Sequence, residues 1–175
     1  MSARKKAKPK ARPPATPPGP PPPLRVFISR CKKDTVYLDQ LLPHLSLLEG
    51  QGKIKVWYDK DIHPRTKWEP QIQAELEQAH VILMLLTVHF IESDYCFRIE
   101  MPEALKRFED KKAIATWVYV LPCEWRETPL SAIQGQPVHG ECLPEGVRAS
   151  HQYWCDVAKA IREMADHFQK HGKPI

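Results

Sequence analysis

Long apolar runs are missing from this chain of 175 residues. No stretch approaches the roughly twenty apolar residues that a membrane-crossing helix needs, so no span is expected. Cysteine is sparse, and its spacing suggests no pairing. Cys31, Cys96, Cys123, Cys142 and Cys155 are odd in number, lie far apart and include no C-x-x-C, which excludes a disulfide framework and suits reduced thiols in a cytoplasm. His139-x-x-Cys142 comes nearest to a metal-ligand spacing, and with no second pair nearby no metal is expected. Glycine-rich phosphate turns are absent as well. No strand-like segment leads into G-x-G-x-x-G or G-x-x-x-x-G-K-[ST], so Rossmann and P-loop nucleotide sites are excluded, and the lack of G-x-S-x-G removes the strongest hydrolase signal.

Acidic residues are missing from one end only. Residues 1–24 hold six Lys or Arg, no Asp or Glu, and nine of the eighteen prolines. The formal net charge of +5 is therefore +6 from this arm and −1 from the rest, so a preference for anionic partners such as nucleic acid belongs to the arm alone. Residues 1–23 have almost nothing to bury and are expected to be a disordered, basic, proline-rich tail with local polyproline II at Pro20 to Pro23. Such an arm acts as a tether, or as an electrostatic handle for nucleic acid, anionic lipid or another effector. Its charged start leads into no apolar core, so a secretory leader is not expected, and its lysine- and proline-rich pattern suits a mitochondrial transit peptide poorly. The remaining residues, 24–175, match the size of one well-cored domain.

That domain alternates strand and helix signals. Leu24 to Ser29 is a short apolar, β-branched run that predicts a buried strand. Asp34 or Thr35 can cap a helix carrying Val36, Leu38, Leu41, Leu42, Leu45, Leu47 and Leu48, with a kink or break at Pro43 and a stop at Gly50 and Gly52. Lys53 to Tyr58 predicts a second strand, Asp59 to Trp68 an exposed charged loop, and Trp68, Ile72, Leu76 and Ala79 one face of a second helix. His80 to Thr87 is nearly continuous apolar and predicts the central strand of a parallel sheet covered on both faces. After a loop at His89 to Glu92, a helix runs to about Asp110 with a kink at Pro102. Ala113 to Leu121 predicts a fourth strand, residues 122–150 a loop with a short helix or edge strand, and Tyr153 to Gln169 a closing helix. Strict alternation of this kind predicts an α/β fold, a central parallel sheet of about five strands with helices on both faces.

One stretch carries chemistry: Ser93-Asp94-Tyr95-Cys96-Phe97-Arg98-Ile99-Glu100-Met101. Ser93 or Asp94 can cap a helix here, and Glu100 then sits one to two turns in. A glutamate in a helix is ordinarily a solvated surface residue, so pattern alone does not single it out.

Order and spacing across residues 24–170 add a resemblance. It rests on Val26-Phe27-Ile28-Ser29, Asp34, Val56-Trp57-Tyr58-Asp59, Trp68, Ala79 to Leu86, Phe90, Ser93-Asp94-Tyr95-Cys96, Glu100-Met101 and Leu121-Pro122-Cys123-Glu124-Trp125. With these the chain resembles the TIR (Toll/interleukin-1 receptor) domain family in its compact prokaryotic form. The resemblance implies a flavodoxin-like TIR fold over 24–175, homotypic TIR–TIR self-association, and a loop at 59–68 that mediates association and borders the active site. Many members of the family cleave NAD+ at the nicotinamide–ribose bond, in immune, anti-phage or stress signalling. The glutamate after the Trp/Tyr-Cys pair is their catalytic residue, which implies Glu100 here. NAD+ would then be substrate, with no further cofactor. Tyr95 and Trp57 or Trp68 can stack on a base, while Arg30 and Lys32 can meet phosphates; Asp59 completes the candidate substrate-binding set.

This chain departs from the family pattern in three places. Arg30 stands where an aromatic is common, and His63-Pro64-Arg65 where a Pro-Gly is common. Glu100 follows Cys96 by four residues rather than three, which leaves Asp94 and Glu103 as alternatives. A catalytically silent TIR adaptor is the alternative reading of the whole.

Overall fold

The computed structural model describes residues 21–59, 68–137 and 140–173. The expectations of a disordered tail over residues 1–23 and of an exposed loop over 59–68 fall on residues 1–20 and 60–67, which lie outside the described residues. Five parallel strands form one sheet in the order β2-β1-β3-β4-β5: β1 Leu24–Ser29, β2 Ile54–Tyr58, β3 Val81–Leu86, β4 Ile114–Tyr119 and β5 Gly135–Gln136. The helices are α1 Thr35–Gly50, α2 Trp68–Gln78, α3 Val88–Glu92, α4 Met101–Glu109 and α5 Val147–His171. This is the flavodoxin-like α/β architecture expected, with β3 at the centre and every β3 side chain buried. Among the described residues no helix is long and apolar enough to cross a membrane.

Because successive strand side chains point to opposite faces, each strand feeds two cores. Val26, Ile28, Leu83, Leu85 and Val118 pack with α1 and α5 on one side. Phe27, Ile82, Met84, Leu86 and Trp117 pack with α2 and α4 on the other. The aromatic content of α5 anchors the first layer, where Trp154 is 1% exposed and its Nε1 donates to Gln40 Oε1 of α1 at 3.0 Å. Gly172 ends α5 in a left-handed conformation (φ 69°) and returns its N–H to Phe168 O, a turn that a side chain would strain. At the far edge Gly135 lets β5 lie against the Trp117 ring, since a Cβ there would come within 2.4 Å of it.

Several local expectations are corrected. Helix α1 runs through Pro43 without a break. The proline removes one N–H from the ladder, but fully buried Leu41 and Leu45 flank it and hold the helix to the sheet, so packing outweighs the local cost. Val36 and Leu47 are 54% and 68% exposed because they lie half a helical turn away from Leu38, Leu41, Leu45 and Leu48. The segment taken as a loop at His89 to Glu92 is the short helix α3, capped by Thr87 Oγ1, which accepts the Phe90 N–H at 2.9 Å. Helix α5 begins at Val147 rather than Tyr153, because its first turns are exposed and carry no apolar period.

The kink expected at Pro102 is replaced by a wider turn. Residues Cys96–Glu100 form a π-helical turn running straight into α4, with the Met101 N–H on Cys96 O. A π turn holds one residue more than an α turn, which leaves room ahead of a proline that has no N–H to give. Ser93 Oγ caps the start by accepting the Cys96 N–H at 3.2 Å, as its place in the stretch predicts.

Candidate active site

In an open parallel sheet, ligands settle beyond the carboxyl ends of the strands, where neighbouring connections leave in opposite directions. With order β2-β1-β3, that point lies between β1 and β3. A cleft of about 300 Å³ opens beside it, lined by Phe27, Ile28, Arg30, Cys31, Lys32 and Lys33 from β1 and the turn after it, Asp59 after β2, and Ser93, Tyr95, Cys96 and Glu100 from the segment after α3. That volume sits at the lower end of the range for small-molecule sites.

Glu100 lies at the wall of this cleft and is 5% exposed. The π turn puts it there: with one residue added after Cys96, Glu100 still faces inward beside Cys96 and Met101 while Ile99 faces solvent. Its Oε2 accepts a short hydrogen bond from the hydroxyl of Ser29, the last residue of β1, itself 1% exposed. Burial pushes the Glu100 carboxyl up from 4.5 to about 7; the Ser29 hydroxyl opposes this, neighbouring Asp59 adds to it and the Arg30 guanidinium opposes it. The site therefore holds a carboxylate that is fixed, dry and balanced between its two protonation states at neutral pH. Cys96 beside it is no nucleophile, since burial and then Glu100 push its thiol up to about 12.

Arg30 reaches across from the β1 turn, where its Nη2 donates to Asp59 O at 3.2 Å and its Nη1 to Cys31 O at 3.5 Å. Lys32 is 62% exposed at the rim, with Nζ 3.8 Å from Asp59 Oδ2. Of the residues the sequence singles out, the fold thus gathers Arg30, Lys32, Asp59, Tyr95 and Glu100 around one cleft. Trp57 does not line it, being stacked on Phe27 at 5.0 Å between ring centroids and 17° between planes. Trp68 opens α2, and its side chain lies outside the described part. The two alternative carboxylates are elsewhere. Asp94 is 89% exposed and paired with Arg98 at 2.9 Å, and Glu103 is not among the residues that line the cleft.

Sequence reasoning missed Ser29 as a site residue. The available signal was a polar residue closing an apolar strand at the carboxyl edge of a parallel sheet. It also missed a buried cluster at the same edge: Asp34, 1% exposed, accepts from Thr87 Oγ1 at 2.6 Å and pairs with His89 Nδ1 at 2.7 Å, tying the start of α1 to α3. Among the described residues no three His, Cys, Asp or Glu side chains converge as a metal site would require.

Comparison with known proteins agrees with this architecture. The family model described as TIR domain matches residues 26–170. Uncharacterized protein y4lF of Sinorhizobium fredii (strain NBRC 101917 / NGR234) is 32% identical over 140 residues, covering 80% of this chain. The match takes in only 43% of that relative's length, so this chain spans less than half of it.

Proposed function

Because the chain belongs to the TIR domain family, whose members commonly self-associate in signalling, we propose that it is an NAD+-consuming enzyme that cleaves the nicotinamide–ribose bond. The observation that carries this reading is the buried Glu100, held by Ser29 at the wall of a cleft on the carboxyl edge of the sheet. Breaking the bond leaves positive charge on the ribose as an oxocarbenium ion, and the nicotinamide departs neutral with the bonding electron pair. No acid is needed on the leaving group, so one carboxylate suffices where ordinary glycosidases use two. A preorganised anion in a dry site stabilises that developing charge far better than the same anion in water.

Cationic substrate also fits the titration of the site. A positive pyridinium beside Glu100 favours its ionised form, so substrate entry draws the carboxyl from its raised value toward the charged state that catalysis uses. Tyr95 offers an aromatic face in the cleft, and Lys32 and Lys33 at the rim supply charge for the pyrophosphate. Water or an adenine nitrogen then captures the ribosyl cation, giving a hydrolase or a cyclase. Self-association would complete the site through the 59–68 loop, in immune, anti-phage or stress signalling within the cytoplasm.

The test is release of nicotinamide from NAD+ by concentrated protein, beside Glu100→Ala. Release is expected from the wild type, with at least a ~100-fold loss in the variant, the scale seen when one stabilising group of a transition state is removed. A folded, assembled sample that releases none is a silent adaptor, and full activity in the variant removes Glu100 from its role.

A further inference from the structure

On the α1 and α5 side of the sheet, outside the cleft, two histidines from different helices meet ring to ring. His44 of α1 and His151 of α5 bring Nε2 and Nδ1 to 3.1 Å, with ring centroids 5.4 Å apart and planes at 40°. His151 is exposed and His44 half-buried, so the gap between them opens to solvent. About one turn along each helix, Trp154 Nε1 donates to Gln40 Oε1 at 3.0 Å, and Trp154 is 1% exposed. The two backbones that carry the rings are therefore held in place. Burial, and then His151, hold the His44 imidazole below its ordinary value, which keeps that ring in the neutral form that ligates metals.

Two neutral imidazoles placed in this way share one hydrogen across the gap. The same gap fits a metal ion. At the ~2.0–2.1 Å of a zinc–imidazole bond, nitrogens 3.1 Å apart subtend about 100° at the ion, between the octahedral and the tetrahedral angle. We propose that His44 and His151 form a two-histidine clamp for an exchangeable first-row divalent ion, Zn2+ or Ni2+, that ties α1 to α5. Imidazole nitrogen selects such ions over Mg2+ and Ca2+, which take oxygen ligands. On binding, the shared hydrogen moves to the outer nitrogen of its own ring, where water accepts it. Both facing nitrogens then offer lone pairs, and no proton leaves the protein. Water fills the remaining positions. Three converging side chains mark a resident ion, and the described residues hold no such group; two side chains hold an ion that exchanges. A second pair, His167 and His171 on α5, lies 4.3 Å apart between ring centroids. Lys170 and Lys173 bear on His167 and oppose a cation there, whereas the only charge that bears on His44 is its partner ring's. Neither His44 nor His151 lines the cleft, so the clamp is independent of the proposed function.

Long-range 1H–15N correlation spectra of the histidine rings, recorded on the full chain during a Zn2+ titration, test the assignment. Zn2+ is expected to move His44 Nε2 and His151 Nδ1 together, and Mg2+ to move neither. In calorimetry His44→Ala and His151→Ala are each expected to lose at least ~tenfold in Zn2+ affinity, while His171→Ala keeps it. Zn2+ at about a hundred times its Kd should raise Tm by ~5 °C in wild type and in neither clamp variant. Shifts confined to His167 and His171, undiminished affinity in His44→Ala, or no ring shift at millimolar Zn2+ would overturn the inference. The ring spectra need no variant, so a substitution that fails to fold leaves the test intact.

Discussion

Glu100 combines two properties that pull against each other, an ionisable carboxyl group and a buried position. Its folded-state value of about 7 lies above its ordinary 4.5, so the folded protein holds a proton that the unfolded chain has released between those limits. Stability therefore falls as pH rises through that window, by up to about 3 kcal/mol. Glu100→Gln removes this slope. Urea melts are expected to show the variant gaining on wild type between pH 5 and pH 8, with the larger advantage at pH 8, even as nicotinamide release is lost. Ser29 tunes the same group. Its hydroxyl favours the ionised carboxylate, so Ser29→Ala moves the Glu100 value further up, and the rising limb of kcat/KM near pH 7 shifts alkaline. A rate deficit that is larger at pH 6.5 than at pH 8.5 is the expected signature. Ser29 was legible as strand and Glu100 as helix; their contact was not, because 71 residues separate them and only sheet topology makes them neighbours.

At the scale of elements, the π turn before α4 explains how one extra residue in the stretch leaves the glutamate facing inward. Its added residue is carried as a bulge, with Ile99 47% exposed on the outer side. Deleting Ile99 is expected to close the bulge into a regular α turn and keep Glu100 beside Ser29, with circular dichroism melts and nicotinamide release both retained within about tenfold. Deleting Lys106 from the regular α4 has no bulge to absorb it and rotates the following residues by about 100° around the helix, which should lower the melting temperature sharply. Sequence periodicity located this helix but could not show the bulge, because a π turn shares its residue preferences with the α turns around it. The same limit applies to α1, where Pro43 reads as an interruption until Leu41 and Leu45 are seen buried on either side.

Across the whole molecule, the two faces of one sheet divide the work. The α1 and α5 side is a continuous apolar core, whereas the α2 and α4 side ends at the cleft. Gly135 sits where the second side meets the edge of the sheet. A methyl there would press into the Trp117 ring, which is 3% exposed and has its Nε1 on the carbonyls of Leu130 and Ile133. Gly135→Ala is expected to cost about 1–3 kcal/mol in chemical denaturation, with the loss coming from the β4–β5 edge. Assembly is the other property of this scale. If self-association completes the site, nicotinamide release will rise faster than linearly with protein concentration, and a strictly linear dependence would mark a monomeric enzyme.

What the amino-acid order determined by itself was the alternation of strands and helices, the central place of β3 and the parallel sheet, because apolar periodicity is a local property that survives without knowledge of neighbours. The Glu100 assignment came from resemblance in motif order, since spacing alone describes an ordinary surface glutamate. Only the tertiary structure decided that Glu100 is buried, that Ser29 holds it, that Arg30 and Asp59 line the same cleft, and that Trp57 is spent on Phe27. Burial and hydrogen-bond partnership are set by residues far away in the chain, and dielectric environment follows from them. The chemistry of the site belongs to the packed sheet rather than to any one segment.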